Sequence, residues 1–236
     1  MASMRAMVIL PTYNEKENIE GIIDKIFKLD EIGVVIVDDG SPDGTGAVAD
    51  ALAAKNPNRI HVIHRQERGR ASAGFVGFKY ALTHDVDYVI EMDADFSHDP
   101  ADIPRLLNMA QEYDVVIGSR YAPGGTDGDR TFIREVISKF ASLYTRLLLG
   151  WPIKDWSGGY KCYSKQALAS LDFSKFHSKG YAVGMETLYR LSKNGYSIVE
   201  IPITFEDRRL GQSKFSWHHI VEYFQTSAKL RLGQNL

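Results

Sequence analysis

Over its first 118 residues the chain alternates short apolar runs with amphipathic stretches, and this alternation constrains the fold more than any other feature. The apolar runs have the length of strands, and the stretches between them carry apolar residues at helical spacing. Strands that are apolar almost throughout are typical of a parallel sheet covered by helices on both faces, so we predict an α/β fold. The predicted strands are Ala6–Leu10, Val34–Val37, Ile60–Ile63, Tyr88–Met92 and Val115–Ile117, and the predicted helices are Ile19–Phe27 (with Asn14 and Glu17 as its N-cap pair), Ala47–Ala54, Ala71–Leu82 and Ala101–Gln111.

The second half of the chain is less regular. A long helical candidate, Phe132–Leu149, and a last amphipathic helix that begins near Trp217 each carry an apolar stripe. The segments between them are a strand-like Gly159–Tyr163, a helical Val183–Lys193 and a strand Ser197–Phe205. No linker separates the halves, so we predict one domain whose C-terminal amphipathic helices pack onto the edge of the sheet and over its mouth.

Charge is distributed unevenly along the chain. The net charge is only −2, and hydrophobic residues make up an ordinary 44%. However, residues 1–118 hold 11 Lys and Arg against 20 Asp and Glu, a balance of −9, whereas residues 119–236 hold 17 against 10, a balance of +7. This asymmetry suggests that the two halves bind different ligands.

Cysteine usage and hydropathy bear on the compartment. The single cysteine, Cys162, excludes an internal disulfide, fits a reducing compartment and is expected to be a buried thiol. No window approaches the roughly 18 consecutive apolar residues of a membrane-spanning helix, and Met1–Met7 lacks the apolar run of a signal peptide. We therefore expect a protein on the cytosolic side, held at a membrane only through its surface or through a partner.

Four polar segments each follow a predicted strand directly. They are Pro11–Glu15, Asp38–Thr45, Asp93–Asp95 and Gly118–Arg120. In an open parallel sheet, ligands bind beyond the carboxyl ends of the strands, so these segments are expected to meet in one crevice. Their convergence is stronger evidence for a binding site than any single motif.

Two phosphate-binding fingerprints are excluded. Gly69–Gly74 has the spacing of a Walker loop, but Phe75 stands where the loop requires Lys. Gly44–Ala49 fits the glycine pattern of dinucleotide-binding folds, but six residues, three of them aspartates, separate it from the preceding strand. A dinucleotide-binding fold needs the first glycine in the turn itself, and carboxylates beside a pyrophosphate would repel it.

The segment Asp93-Ala94-Asp95 carries the clearest chemical signal. Two carboxylates two residues apart, just after a buried strand, supply the oxygen ligands that Mg²⁺ and Mn²⁺ prefer, and such an ion is readily shared with substrate phosphates. A bound ion would neutralise the charge that develops on a leaving diphosphate.

Together these motifs resemble those of family-2 glycosyltransferases with the GT-A fold, and among them most the dolichol- and polyprenol-phosphate mannosyltransferases. The resemblance implies one GT-A catalytic domain over residues 1–236, with a Rossmann-like, mostly parallel sheet and helices on both faces. Residues 1–118 would be its nucleotide-sugar-binding half and residues 119–236 its acceptor-binding half. The matching residues are Pro11–Glu15, Val37–Thr45, Met92–His98, Gly118–Tyr121, Asp155 with Ser157–Gly158, and Arg208 with Gly211–Lys214.

The resemblance also implies roles for single residues. Asp93 and Asp95 would hold Mg²⁺ or Mn²⁺, and Asp95, Arg120 and Arg134 would carry catalysis. The acceptor phosphate would contact Arg120, Arg134 and Ser138. Donor binding would involve Pro11, Tyr13, Glu15, Val37, Asp39, Asp93, Ala94, Asp95, Ser97, Arg120, Arg208 and Lys214.

The reaction implied by the resemblance is transfer of mannose from GDP-mannose to dolichyl or polyprenyl phosphate. The motifs include no Ser-His-Asp or Cys-His set, and His98, which adjoins them, is equally explained as a helix cap. An alcohol acceptor would need a general base, whereas a phosphate oxygen is already anionic at pH 7. Direct displacement would invert an α-linked donor to a β-linked product.

A polyprenyl tail needs apolar surroundings, so the two apolar stripes of the second half are candidates for docking on a bilayer. Lys139, Arg146, Lys229 and Arg231 lie near the ends of these helices and suit anionic headgroups. Stripes of this width fit core helices equally well. The resemblance implies that this membrane is the endoplasmic reticulum in a eukaryote or the plasma membrane in a prokaryote. Whether a small membrane-anchoring subunit is a partner stays open.

Two other functions remain open at this point. A UDP-sugar-dependent polyprenyl-phosphate glycosyltransferase would carry nearly the same motifs. A non-catalytic nucleotide-sugar-binding subunit would not need the whole set of carboxylates and arginines. No nucleic-acid partner is expected.

Overall fold

A computed structural model describes residues 5–128, 132–178, 180, 182–206 and 217–233, with the backbone alone at residues 132–135, 137, 217 and 219. Strands and helices alternate along the first half, as the sequence predicts. The strands are β1 (Ala6–Thr12), β2 (Ile32–Asp38), β3 (Ile60–His64), β4 (Tyr88–Glu91), β5 (Val115–Ser119), β6 (Lys161–Ser164) and β7 (Ile198–Pro202). The helices are α1 (Lys16–Ile26), α2 (Thr45–Lys55), α3 (Arg70–Leu82), α4 (Ile103–Met109), α5 (Phe132–Leu149), α6 (Lys165–Ala169), α7 (Val183–Lys193) and α8 (Trp217–Arg231).

The seven strands form one sheet in the order β3-β2-β1-β4-β6-β5-β7. All of them run parallel except β6, which is antiparallel to both of its neighbours, β4 and β5. The predicted mostly parallel sheet is therefore confirmed. The sequence pattern predicted β6 as a strand but not its reversed direction or its place inside the sheet.

Helices cover both faces of the sheet, which explains why the strands are apolar almost throughout. In β1, Val8 and Leu10 pack into the core on the side of α1 and α4, while Ile9 packs into the core on the side of α3 and α7. All three side chains are fully buried. Cys162 in β6 is buried as expected, and this burial raises the pKa of its thiol.

The start of α1 differs from the prediction that Asn14 and Glu17 form its cap. The N-cap residue is Glu15, whose side chain makes no capping hydrogen bond, and Asn14 has a left-handed φ of 56°. Polar residues at and just before the start of α2 cap α1 instead. The Glu15 N–H donates to Thr45 Oγ1 at 2.9 Å, and the Lys16 N–H donates to Asp43 at 3.1 Å. A contact between distant segments thus replaces the local capping box.

The C-terminal helices pack against each other along one side of α5. Tyr144 of α5 and Phe224 of α8 meet edge to face with centroids 4.8 Å apart, and Thr145 Oγ1 lies 2.9 Å from the Tyr223 hydroxyl. On the other side of α5, four large apolar side chains are exposed, and we call them the α5 stripe. They are Val136 (48% exposed), Phe140 (62%), Leu143 (53%) and Leu147 (75%).

The expectation that α5 is a core helix therefore holds for one of its sides, and docking on a bilayer remains a prediction for the other. One side is core and the α5 stripe is surface. None of the helices in the described ranges is long and apolar enough to cross a membrane.

Candidate functional site

The carboxyl ends of β1, β2, β4 and β5 lie at one edge of the sheet, which confirms that the four polar segments converge. Thr12 at the end of β1 is in register with Asp38 at the end of β2, so the segments after β1, β2 and β4 are neighbours. The segment after β5 lies one strand further along, because β6 separates β5 from β4. Since β6 runs in reverse, its first residue, Lys161, also lies at this edge.

Asp38, the last residue of β2, and Asp39, which follows it, have different contacts. Asp38 accepts hydrogen bonds from the Ser41 N–H at 3.1 Å and the Ser41 hydroxyl at 2.5 Å, so it braces the turn. Asp39 accepts from the Gly69 N–H at 2.8 Å and from Arg65 at 2.9 Å, and burial raises its pKa. Asp39 thus fixes the start of α3 to the end of β2. The sequence analysis, which assigned Asp39 to the donor, did not foresee this contact.

The other residues predicted for the nucleotide pocket differ in exposure. Pro11 and Tyr13 are half-buried at the end of β1, and the Arg68 guanidinium lies 4.5 Å from the centre of the Tyr13 ring. Glu15 is buried. Val37 has no exposed surface, and its side chain packs in the core on the α3 side, so neither its side chain nor its backbone is accessible to a nucleotide in this structure.

Hydrogen bonds hold the turn that carries Asp93 and Asp95. Asp95 is buried and accepts from the Ser97 N–H at 3.1 Å and the Ser97 hydroxyl at 2.6 Å. The Asp93 N–H donates to His98 Nδ1 at 3.0 Å, and Phe96 turns the chain back with a φ of 64°. The Asp93 side chain keeps 25% of its surface exposed, so it opens toward the crevice while Asp95 is fixed beneath it.

His98 supports this turn, and the prediction that it caps a helix is wrong. The cap of the following helical turn is Asp99, which accepts the Ala101 N–H at 3.2 Å. The His98 ring is buried and stacks on Tyr160 with centroids 4.9 Å apart. Burial lowers the pKa of His98, and because Nδ1 accepts the Asp93 N–H, the neutral ring carries its proton on Nε2.

Two cations near the carboxylates of Asp93 and Glu91, Arg70 and Lys161, could not be identified as part of the site from the sequence. The Arg70 guanidinium contacts the Asp93 carboxylate and lies 4.0 Å from that of Glu91. Lys161 is buried and donates to the Gly158 carbonyl, and burial lowers its pKa although Glu91 opposes the shift. The available signal was Glu91 itself, a charged residue at the end of an apolar strand, because a buried carboxylate requires a partner.

Asp93 and Asp95 fit an ion that is shared with a ligand. Within the described ranges, no group of three or more His, Cys, Asp or Glu side chains is arranged to hold a metal. If Asp93 and Asp95 hold a Mg²⁺ or Mn²⁺ ion, water and phosphate oxygens of the donor would be its other ligands, as is common for Mg²⁺. The small side chain of Ala94 is buried between them.

Arg120, at the end of β5, lies in a buried ion-pair network. Its Nε and Nη2 donate to the two carboxylate oxygens of Asp155 at 2.8 and 2.7 Å, and Nη2 also donates to Ser157 at 2.7 Å. Asp127 lies 3.4 Å from Nη1. Burial opposes both charges, but the pair outweighs it, so the pKa of Arg120 is raised and that of Asp155 is lowered. The guanidinium is thus a fixed positive charge.

Ser138 lies close to this network, as its predicted role in the acceptor site requires. The Tyr121 hydroxyl donates to Ser138 Oγ at 2.8 Å, and the Arg120 guanidinium lies 5.0 Å from the Tyr121 ring. Arg208, Lys214 and the side chain of Arg134 lie outside the described residues, so their predicted roles remain predictions. The sheet edge thus carries the Asp93–Asp95 carboxylate pair on one side and the Arg120 guanidinium, paired with Asp155, on the other. Their roles toward phosphorylated ligands remain predictions.

Comparison with known proteins identifies the family. The model of glycosyl transferase family 2 matches residues 7–172, well over half of the 236-residue chain. The protein belongs to this family and is a glycosyltransferase.

Two curated relatives are similar over nearly the whole chain. The polyprenol monophosphomannose synthase of Mycolicibacterium smegmatis is 44% identical over 223 residues, which cover 93% of this chain and 84% of the relative. The undecaprenyl-phosphate mannosyltransferase of Micrococcus luteus is 42% identical over 215 residues, which cover 90% and 88%.

Solved structures share the fold at low sequence identity. Glucosyl-3-phosphoglycerate synthase from Mycobacterium tuberculosis, in complex with Mn²⁺, UDP and glucosyl-3-phosphoglycerate, has a TM-score of 0.68 at 20% identity and covers 98% of this chain and 81% of that one. A mannosyltransferase from Pyrobaculum calidifontis, in complex with GDP-mannose and Mn²⁺, has a TM-score of 0.63 at 19% identity and covers 97% and 65%. The expected GT-A fold is confirmed.

Proposed function

We propose that this glycosyltransferase transfers mannose from GDP-mannose to dolichyl or polyprenyl phosphate, with Mg²⁺ or Mn²⁺ and with inversion at the anomeric carbon. The observation that carries the proposal is the 44% identity, over 93% of the chain, to a polyprenol monophosphomannose synthase. The arrangement of the crevice supports it, because the Asp93–Asp95 turn and the Arg120 network lie at the same sheet edge.

On the donor side, the ends of β1, β2 and β4 surround the nucleotide. Tyr13 would line the nucleotide pocket, and Asp39, next to the start of α3, would face the base and ribose. Asp93 and Asp95 would hold a Mg²⁺ or Mn²⁺ ion, which when bound would supply positive charge to the leaving diphosphate. Asp95 keeps its position through Ser97, so the carboxylate is oriented before the donor binds.

On the acceptor side, the nucleophile is a phosphate oxygen that is already anionic. His98, the histidine beside the Asp93 turn, uses its Nδ1 to accept a backbone hydrogen bond, so this nitrogen does not take a proton from an acceptor. Arg120 and Ser138, together with Arg134 on the same helix as Ser138, would orient the acceptor phosphate. Positioning and charge then provide the catalysis, and attack opposite the leaving diphosphate gives a β-linked product.

The α5 stripe supports an acceptor presented by a membrane. Four exposed apolar residues on the helix that carries Ser138 form a surface that suits the headgroup boundary of a bilayer, and the exposed Lys139 and Arg146 suit anionic lipids. The protein would act as a peripheral protein on the cytosolic side, where a hydrophobic subunit could assist it. Docking through α5 brings the acceptor phosphate to the site without extracting the prenyl chain.

A donor panel tests the proposal. Purified protein is incubated with polyprenyl phosphate in vesicles, with Mn²⁺ and with either GDP-mannose or a UDP-sugar, each radiolabelled in the sugar. We expect radiolabel in the organic phase with GDP-mannose but not with the UDP-sugar, and no labelled product when EDTA replaces Mn²⁺. NMR of the product should show a β-linkage. Label from the UDP-sugar alone would reassign the donor, and an absence of label with every donor would refute the activity of the isolated chain.

A further inference from the structure

Arg70 links the start of α3 to one of the two predicted metal ligands. Its neighbour Gly69 is fixed to β2, because the Gly69 N–H donates to Asp39 at 2.8 Å. From this anchored position the Arg70 side chain crosses the sheet edge to the Asp93 carboxylate and lies 4.0 Å from Glu91. The side chains of Arg70 and Asp93 are 20% and 25% exposed, so the contact lies open to the crevice.

The charges around Asp93 leave Arg70 as the cation that can move. Lys161, the other cation at this position, is buried and bound to the Gly158 carbonyl beneath the turn. Arg70 instead has exposed surface and a long side chain whose backbone stays fixed. A divalent ion on Asp93 and the Arg70 guanidinium would compete for one carboxylate and repel each other at a few ångströms.

We propose that Arg70 is a positioning residue with two successive partners: it neutralises Asp93 before the ion binds, and it moves onto the diphosphate of the sugar nucleotide when the ion takes its place. The inference rests on the proposed function, because it requires a nucleoside diphosphate at the Asp93 turn. The planar guanidinium matches two phosphate oxygens as well as it matches a carboxylate. A rotation of the side chain is sufficient, since the start of α3 stays tied to Asp39.

This exchange couples the two ligands. The ion alone binds weakly, because it must displace a guanidinium that then has no new anion to contact. The ion together with a nucleoside diphosphate binds tightly, because the displaced guanidinium gains the phosphates. Arg70 would therefore weaken binding of the ion in the absence of the donor and strengthen binding of the ion and the donor together.

Calorimetry with Arg70→Met tests this exchange through two affinities that should change in opposite directions. We expect the Kd for Mn²⁺ alone to fall about tenfold, because the competing cation is gone. We expect the Kd for GDP at saturating Mn²⁺ to rise about tenfold or more, because one charge-assisted contact to the diphosphate is lost. Arg70→Lys should recover part of the GDP affinity, since it keeps the charge without the planar fork.

The matched control is Arg105→Met, which removes an ion pair with Asp102 on the surface of α4 and should leave both affinities unchanged. If both affinities fall in Arg70→Met, the residue merely supports the turn and the inference is wrong. It is equally wrong if neither affinity changes, or if Mn²⁺ binds more tightly while GDP binding stays the same. Circular dichroism checks folding, and Arg70→Gln replaces a misfolded Met variant. A wild-type protein that binds neither ligand would instead refute the proposed function.

Discussion

The two halves of the molecule treat their apolar surface in opposite ways. In residues 5–118 the strands are buried under helices on both faces of the sheet, and a hydrogen bond within that half fixes Asp39 to the start of α3. All six exposed large apolar side chains of the described residues lie in the second half, four of them on α5. That half also contains the buried Arg120–Asp155 pair. The difference teaches that one chain can combine a site fixed by buried contacts with a helix whose apolar side chains lie on the surface.

The largest expected effect breaks the polar network of the second half. Asp155→Asn should lower the free energy of unfolding by about 3–5 kcal/mol, because it removes the anion that accepts two hydrogen bonds from the buried Arg120 guanidinium and leaves only Asp127, at 3.4 Å, as an anion beside it among the described residues. Urea denaturation followed by circular dichroism measures the change. The control is Asp85→Asn, which weakens an exposed ion pair with Arg5 and should leave the midpoint in place. Equal midpoints for both variants would show that the pair contributes little to holding the second half together.

A second prediction tests the donor half through its metal site. Asp95→Ala should lower kcat on the order of 10²-fold or more, because the ion on the leaving diphosphate is lost or misplaced. Steady-state kinetics in Mn²⁺ gives the value. Asp24→Ala, which removes an exposed carboxylate from α1, is expected to keep wild-type turnover. Undiminished activity of Asp95→Ala in EDTA would end the metal hypothesis.

A third prediction separates the two halves kinetically. Arg134→Ala should raise the KM for polyprenyl phosphate and barely change the KM for the nucleotide sugar. The loss of one charge-assisted pair costs roughly 1.5–3 kcal/mol, or about 10- to 150-fold in kcat/KM for the acceptor. Arg134→Lys should recover only part of it. A shift in the donor KM alone would place Arg134 in the nucleotide site, and Arg105→Ala controls for the loss of a surface arginine.

The smallest effect concerns the α5 stripe. The double variant Leu143→Ser/Leu147→Ser should weaken partition onto anionic vesicles by about tenfold, since two exposed leucines no longer enter the interface. Vesicle flotation measures this partition. The KM for GDP-mannose serves as the internal control and should not change, because the stripe lies on the far side of α5 from the core. Unaltered vesicle binding would show that another surface meets the membrane.

The fold of the first half could be predicted closely from the sequence. Its strands are continuous apolar runs because helices bury both faces of the sheet. This pattern can be recognised in a single sequence. Two features could not be predicted. The direction of β6 depends on its neighbours in the sheet, and the cap of α1 comes from Asp43 and Thr45 across the turn before α2. Periodicity carries no information about either contact.

The site shows the same limit. The sequence predicted the convergence of the strand ends because parallel strands place their carboxyl ends at one edge. It missed Arg70 and gave His98 the wrong role, because the contacts of both side chains with Asp93 depend on the folded structure. It also assigned Val37 to the nucleotide, although its side chain is buried in the core. Position along a strand predicts where a residue lies, whereas its contacts depend on how helices pack against the sheet.

The position of β6 has a consequence for synthesis of the protein. Residues 161–164 fill a gap between β4 and β5, which precede them by more than 40 residues in the chain. Until residues 161–164 have been synthesised, the edges of β4 and β5 that pair with β6 remain open. Open strand edges can pair with strands of other molecules. A nascent chain that stops before β6 is therefore a target for aggregation and degradation. We therefore expect residues 1–118, produced without the rest of the chain, to aggregate rather than to persist as a separate domain.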